Sequence, residues 1–313
     1  MEFTPHLLLK NPHIQTLYPT LKKQNPSLDF TKERFILSDE DFIEPYWYKK
    51  DPTKPIVVLL HGLGGSYKSP YIPQLMQNLS YSGFSPVLMH FRGALTPNDT
   101  PRSYHSGEIW DLREFLLSLK HYNQPITLVG FSLGANVTLK YLAAFQKDPL
   151  VEQAIAVSTP FKLEICAKKL NVGFAKIYQN HLLKDLKKML LQKAKRFDIG
   201  LTQTQIQQIQ NFVEFDELYT APIHGFKNAK DYYEQSSSFF ILDQIQTPTT
   251  LIHAKDDPFM TQEVLPKLED LSTAITPLFY SHGGHVGFVE GSLGNPSYFL
   301  DDAIPALLHK RVW

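Results

Sequence analysis

Ile126-Thr-Leu-Val-Gly-Phe-Ser-Leu-Gly-Ala-Asn-Val137 passes from a strand pattern to a helical one across a single serine. Its first half, Ile126–Phe131, is a short apolar, β-branched run, the mark of a strand covered on both faces. From Leu133 to Phe145 the pattern turns helical. At the junction, Gly130-Phe-Ser-Leu-Gly134 fits G-x-S-x-G. A serine at that point sits on a tight strand-to-helix turn with its hydroxyl pointing out of the sheet. Glycines two residues to either side let strand and helix pack around the turn. The helix N-terminus then brings backbone N–H groups and positive dipole to the place where an oxyanion would form.

On either side of it, Pro55–Leu60, Pro86–Phe91 and Ala154–Ser158 repeat the buried-strand pattern, and Tyr71–Tyr81 and Gly107–Tyr122 repeat the helical one. Strands alternating with amphipathic helices predict βαβ units and a mostly parallel sheet. In the 107–122 helix, Ser106 is the expected N-cap, Glu108 falls in the first turn, and Ile109, Leu112, Leu116 and Leu119 form the buried stripe. The alternation stops at Pro160 and several helices follow to Phe239. Strands resume at Thr249–Ala254 and Thr276–Tyr280, and Tyr298–Val312 closes as a helix. The expected organisation is an α/β core of residues 1–159 and 240–313 with a helical cap, 160–239, inserted in it. Residues 1–34, with Pro12, Pro19 and Pro26 and little periodicity, read as a mostly irregular arm packed on the core. Glu33–Leu37 and Tyr46–Lys49 read as an antiparallel pair joined by a solvated acidic turn, Ser38–Asp41.

A serine nucleophile needs a histidine base and an orienting carboxylate, which in this class follow in the order Ser, acid, His. Strand Thr249–Ala254 runs into Lys255-Asp-Asp-Pro258, and Thr276–Tyr280 runs into Ser281-His-Gly-Gly-His-Val-Gly287. These are strand ends at the carboxyl edge, where open α/β sheets place their chemistry. Asp257, fixed by the following proline, is preferred to Asp256 as the acid; His285 is the expected base, with His282 as fallback. Leu63, in His61-Gly-Leu-Gly-Gly-Ser66 after the first buried strand, and Leu133 are the expected backbone oxyanion donors. His61, Arg92 and His105 read as structural. His282 and His285 lack a third ligand cluster, so neither metal nor cofactor is expected.

Composition bounds the rest. Of 313 residues, 43% are apolar and 20% charged, which excludes disorder and coiled coil as the main architecture. Lys+Arg and Asp+Glu both number 31, leaving no electrostatic footprint for nucleic acid. The single cysteine, Cys166, excludes an internal disulfide and points to a reducing compartment. Leu7–Leu9 is too short for a signal-peptide core and no run approaches a spanning helix, so a cytoplasmic protein is expected. Leu182–Arg196 is a basic amphipathic helix that could touch a membrane surface, though a solvated basic face over a packed stripe is the plainer reading. Oligomeric state is not legible.

The chain resembles the α/β-hydrolase superfamily and, within it, the YheT-like branch, AB hydrolase family 4. The resemblance is carried by Asn11–Thr16, His61–Ser66, His90–Gly93, Tyr104–Glu108, Gly130–Asn136, Ala221–Gly225, His253–Phe259 and His282–Phe288, in order over nearly the whole chain. It implies a capped α/β-hydrolase fold, a Ser132, Asp257, His285 charge relay, and hydrolysis of carboxylic esters, with lipid or medium-chain acyl esters as the substrate class. Gly64 stands where an acidic residue is common in the family and Ala135 where glycine is. Two rivals remain open at this stage: an acyltransferase on the same three residues, and a non-catalytic binding protein that keeps the fold.

Overall fold

The structure, a computed structural model, describes residues 1–146 and 150–309. Nine strands form one sheet: β1 (Phe30–Lys32), β2 (Phe35–Ile36), β3 (Phe42–Tyr48), β4 (Ile56–Leu60), β5 (Ser85–His90), β6 (Ile126–Phe131), β7 (Gln153–Val157), β8 (Thr249–Ala254) and β9 (Ile275–Tyr280). Their order is β1-β3-β5-β4-β6-β7-β8-β9, with β2 also on β3. From β5 to β9 every pairing is parallel, and β3 runs antiparallel to β5. The strand order reverses at β4, between β5 and β6, which opens a crevice at the carboxyl ends of these strands.

Side chains alternate along the central strands. Val58, Leu60 and Leu128 face one apolar cluster, and Val57, Leu59 and Val129 face the other. Helices α3 (Trp110–Leu119) and α4 (Leu133–Ala144) cover the first face with Leu112, Phe115, Leu116, Val137 and Leu139. Helices α2 (Pro73–Tyr81) and α11 (Phe299–His309) cover the second with Leu75, Met76, Ala303 and Ile304. Both faces being dry explains why the strands read as continuous apolar runs. The predicted closing helix ends its described part at His309; positions 310–312 lie outside the described residues.

Between β7 and β8 the chain is helical: α5 (Leu163–Leu170), α6 (Ala175–Lys193), α7 (Gln203–Gln208), α8 (Phe212–Phe215), a π-turn at Asp216–Thr220, α9 (Ala221–His224) and α10 (Ala229–Ser236). These helices share a cluster of their own, with Leu170, Leu183, Leu190, Ile206, Phe215 and Tyr219 among its members. In α6 the stripe Leu182, Leu186 and Met189 lines a cavity and Leu190 is buried, so that stripe is not a free membrane-binding face. Lys193 is buried too, and its Nζ donates to Asn98 Oδ1, Thr100 O and Arg102 O, tying α6 to the loop after β5. Among the described residues no helix is long and apolar enough to cross a membrane.

Four expectations need correction. The arm is not irregular throughout: it holds α1 (Pro12–Lys22), with Pro12 at the first position, where no N–H is needed, and the Asn11 side chain capping His13 and Ile14 N–H. Tyr46–Tyr48 pairs with β1, not with 33–37, because β3 is long enough to serve β1 and β2 in turn. The acidic turn is not simply solvated. Asp41 is fully buried and accepts from Phe42 N–H, Asp99 N–H, Asn98 Nδ2, Thr100 Oγ1 and Arg92 Nη1. Arg92 also forms a two-pronged pair with Asp111 and reaches Asp39, as its structural reading requires. Finally, Ser106 does not cap α3. The helix starts at Trp110, whose N–H is taken by Glu108 Oε1, while the Ser106 N–H donates to Tyr232 Oη.

β10 (Val289–Gly291) and β11 (Pro296–Tyr298) form a small separate hairpin. Its first strand is held by the arm: Gln15 Nε2 donates to Val289 O, and Gln15 Oε1 accepts from Val289 N–H, at 2.9 and 2.7 Å.

Candidate active site

Ser132 joins β6 to α4 with φ 51° and ψ −116°, a conformation that a non-glycine residue adopts only at a cost and that marks a strained turn. The two flanking glycines are required by close approach. A Cβ on Gly130 would collide with the Gly134 carbonyl oxygen, and one on Gly134 with the Leu60 carbonyl oxygen at the end of β4. Their absence lets α4 sit directly over the β4–β6 crevice, with the Ser132 hydroxyl above it.

The three side chains expected to act together lie in one line. His285 Nε2 is 2.9 Å from Ser132 Oγ, and His285 Nδ1 is 2.8 Å from Asp257 Oδ2. Asp257 is buried and its other oxygen accepts from Phe259 N–H at 2.9 Å. Asp256 faces another way: its oxygens take His282 Nδ1 at 3.2 Å and Gly284 N–H at 3.0 Å, bracing the loop that carries His285. His282, the fallback base, is thus spent on Asp256.

The loop after β4 lies against the serine, with Gly62 so near that a Cβ there would be 3.2 Å from Ser132 Cβ. Within it, Gly62 N–H donates to Tyr71 Oη, Gly64 N–H to Tyr104 Oη and Gly65 N–H to Gly62 O. The Leu63 N–H takes no acceptor among the described residues. His61 is fully buried beneath the loop; its Nδ1 donates to Gly62 O at 2.7 Å and its Nε2 accepts from Phe91 N–H. Burial holds its pKa down to about 4, so it is a neutral brace.

Two contributors escaped sequence reasoning. Phe259 stacks flat on the His285 imidazole, with centroids 3.9 Å apart and planes 8° from parallel. His253, near the end of β8 and four residues before Asp257, is buried with Nε2 at 3.9 Å from Asp257 Oδ2, and burial lowers its pKa to about 4. The only local signal was their membership of the segment His253–Phe259.

Ser132 and His285 open onto a cavity of about 600 Å³ whose walls are mainly apolar, among them Leu17, Leu63, Leu163, Leu186, Phe212 and Phe259. Such a lining suits an acyl chain. Outside this cluster, His105, Glu108 and His224 bring one ligand atom each within 4.8 Å of one another. Their chemistry does not favour a cation. His105 Nδ1 accepts from Gly107 N–H, which leaves the proton on Nε2, and Arg102 Nη2 already occupies Glu108. The His105 and His224 rings instead pack together, centroids 4.3 Å apart, joining the segment before α3 to α9.

Residues 55–292 match the model of the family described as alpha/beta hydrolase fold. The chain is 39% identical to "Putative esterase YheT" of Escherichia coli, covering 97% of this chain and 92% of that one. It is 30% identical to the monoacylglycerol lipase of Saccharomyces cerevisiae over 79% of this chain and 58% of the other. Among solved structures, an esterase of Pyrobaculum calidifontis superposes with a TM-score of 0.57 at 14% identity, covering 95% of this chain and 90% of that one, which speaks for the fold. The chain belongs to the α/β hydrolase fold family, in its YheT-like branch.

Proposed function

We propose that the protein is a serine ester hydrolase acting on carboxylic esters with an apolar acyl chain. The observation that carries this reading is the unbroken hydrogen-bonded line from Ser132 Oγ through the His285 ring to buried Asp257. In the proposed mechanism His285 Nε2 takes the Ser132 proton as Oγ attacks the ester carbonyl. Asp257 holds the Nδ1–H tautomer and stabilises the imidazolium. The Leu63 and Leu133 N–H groups receive the oxyanion, each worth about 3 kcal/mol at the transition state. His285 then protonates the leaving alcohol. Water, activated by the same ring, attacks the acyl-enzyme, the acid leaves, and the proton returns to Ser132.

In this reading residues 1–159 and 240–313 form the catalytic core, and 160–239 are a cap that shapes the acyl pocket. The names of the relatives, an esterase and a lipase among them, support the reaction class. The apolar lining supports the substrate class. The test is labelling by a fluorophosphonate together with turnover of a panel of esters of graded chain length. Native protein should label and turn over; Ser132→Ala should do neither while unfolding at the same temperature. Unchanged turnover by folded Ser132→Ala would overturn the mechanism.

A further inference from the structure

The cavity is apolar over most of its wall, yet the cap sets one carboxylate into it. Asp216 lines the same space as Ser132 and His285. It begins the π-turn Asp216–Thr220, which interrupts the helical run from α8 to α9. Such turns are rare and concentrate at functional sites, because the extra residue re-aims a side chain. Two hydroxyls hold the carboxylate in place: Thr220 Oγ1 donates to Oδ1 and Tyr233 Oη to Oδ2, both at 2.7 Å. A carboxylate accepts about four hydrogen bonds, so each oxygen keeps a lone pair. No salt bridge with a cation is made at Asp216 among the described residues. Asp216 is partly exposed where it lines this cavity, and desolvation raises its pKa to about 6. A structural role does not need this. Thr220 and Tyr233 would be satisfied as well by an amide, without the cost of a desolvated, uncompensated charge. A charge kept under those conditions is expected where a ligand supplies the missing donor.

We infer that Asp216 is the anchor of a polar subsite which accepts a hydrogen bond from a donor group on the substrate, remote from the scissile carbonyl. Ser106, Thr220, Tyr232 and Tyr233 line the same cavity, whose other carboxylate, Asp301, is already paired with Lys23 at 2.6 Å. The favoured ester is therefore one that combines an apolar chain with a hydroxyl or ammonium group. This rests on the ester-hydrolase reading above and specifies its substrate.

The experiment compares native protein with Asp216→Leu and Asp216→Asn. Three esters are used in each of two series: a plain chain, the same chain with a terminal hydroxyl, and the same with a terminal ammonium. One series carries the group on the acyl side and the other on the alcohol side. Native protein should favour at least one donor-bearing ester over its plain counterpart by ~10-fold in kcat/KM, the scale of one hydrogen bond to a charged group. Asp216→Leu should abolish that preference through KM and leave the plain ester unchanged or improved. The hydroxyl and ammonium arms tell the two donors apart. No preference in native protein, or an equal loss on all esters in Asp216→Leu, overturns the subsite and assigns Asp216 to folding. Calorimetric binding of an alkanediol against the matching alkanol reads the subsite without turnover. Fluorophosphonate labelling reads Ser132 separately, so a failure of the hydrolase reading is distinguishable from a failure of this one.

Discussion

The backbone N–H of His285 donates to Thr16 Oγ1 at 2.9 Å, joining residues 269 positions apart. Around that bond the loop carrying His285 is moulded to α1: a Cβ on Gly284 would meet Pro12 O at 2.6 Å and Thr16 Oγ1 at 2.7 Å. The arm therefore fixes where the imidazole stands. Thr16→Val should lower kcat about tenfold, the equivalent of one neutral hydrogen bond, and Thr16→Ser should restore it. Steady-state kinetics on one ester checks this, and equal activity of all three proteins would remove α1 from the positioning of the base.

The two neighbouring aspartates should separate sharply. Asp257→Asn leaves the imidazole without its acceptor and should cost roughly 10³–10⁴ in kcat. Asp256→Asn loosens only the bracing of His282 and Gly284 and should cost less than about tenfold. The reverse ranking would move the acid to Asp256.

Phe259→Ala removes the ring stacked on His285. Aromatic stacking of this kind is worth about 1 kcal/mol, so kcat should fall roughly fivefold, with Phe259→Tyr close to native. Parallel urea melts separate this from a loss of fold.

Arg92→Met should destabilise the chain by about 3–5 kcal/mol, since it strands the Asp111 and Asp41 carboxylates in a buried site. Arg92→Lys should recover little, because an ammonium cannot reproduce the two-pronged contact with Asp111. Denaturant unfolding at neutral pH measures both.

His90 is buried with Nδ1 against Glu44 O and Nε2 accepting from Tyr67 N–H, and burial, with His61 nearby, lowers its pKa to about 3. The unfolded chain takes up this proton near 6.5, the native chain only near 3. The stabilisation from His90 is thus complete above about pH 6.5 and drains away as pH falls toward 3. The stability gap between native protein and His90→Gln should narrow steadily from pH 7 to pH 4. A gap that widens with acid would mean that the native ring is charged.

Most of the scaffold was legible because its signals are local. Buried parallel strands announce themselves as apolar runs, and the elbow glycines at 130 and 134 are demanded by contacts within the β4–β6–α4 unit itself. The spacing also named Ser132, Asp257 and His285, which the fold brings into one line. What was not legible depends on partners distant in the chain. Asp41 looks like any turn aspartate until Arg92, Asn98 and Thr100 arrive from the loop after β5. The arm looked irregular because its prolines, Pro12 and Pro19 above all, mask α1, whose place is set by Gln15 and Thr16 reaching the far C-terminal loop. Ser106 had the chemistry of a cap, but Tyr232 from α10 claims its backbone.

The clasp between Thr16 and His285 bears on biosynthesis. The helix that grips the His285 loop is synthesised well before that loop, which follows 269 positions later. Until residues 284–289 are made, Thr16 and Gln15 keep only their bonds within the arm, to Pro12 O and Leu9 O. A nascent chain at that point lacks the hydrogen-bonded line from Ser132 through His285 to Asp257. Under the proposed mechanism, esterase activity therefore awaits the meeting of α1 with the loop after β9.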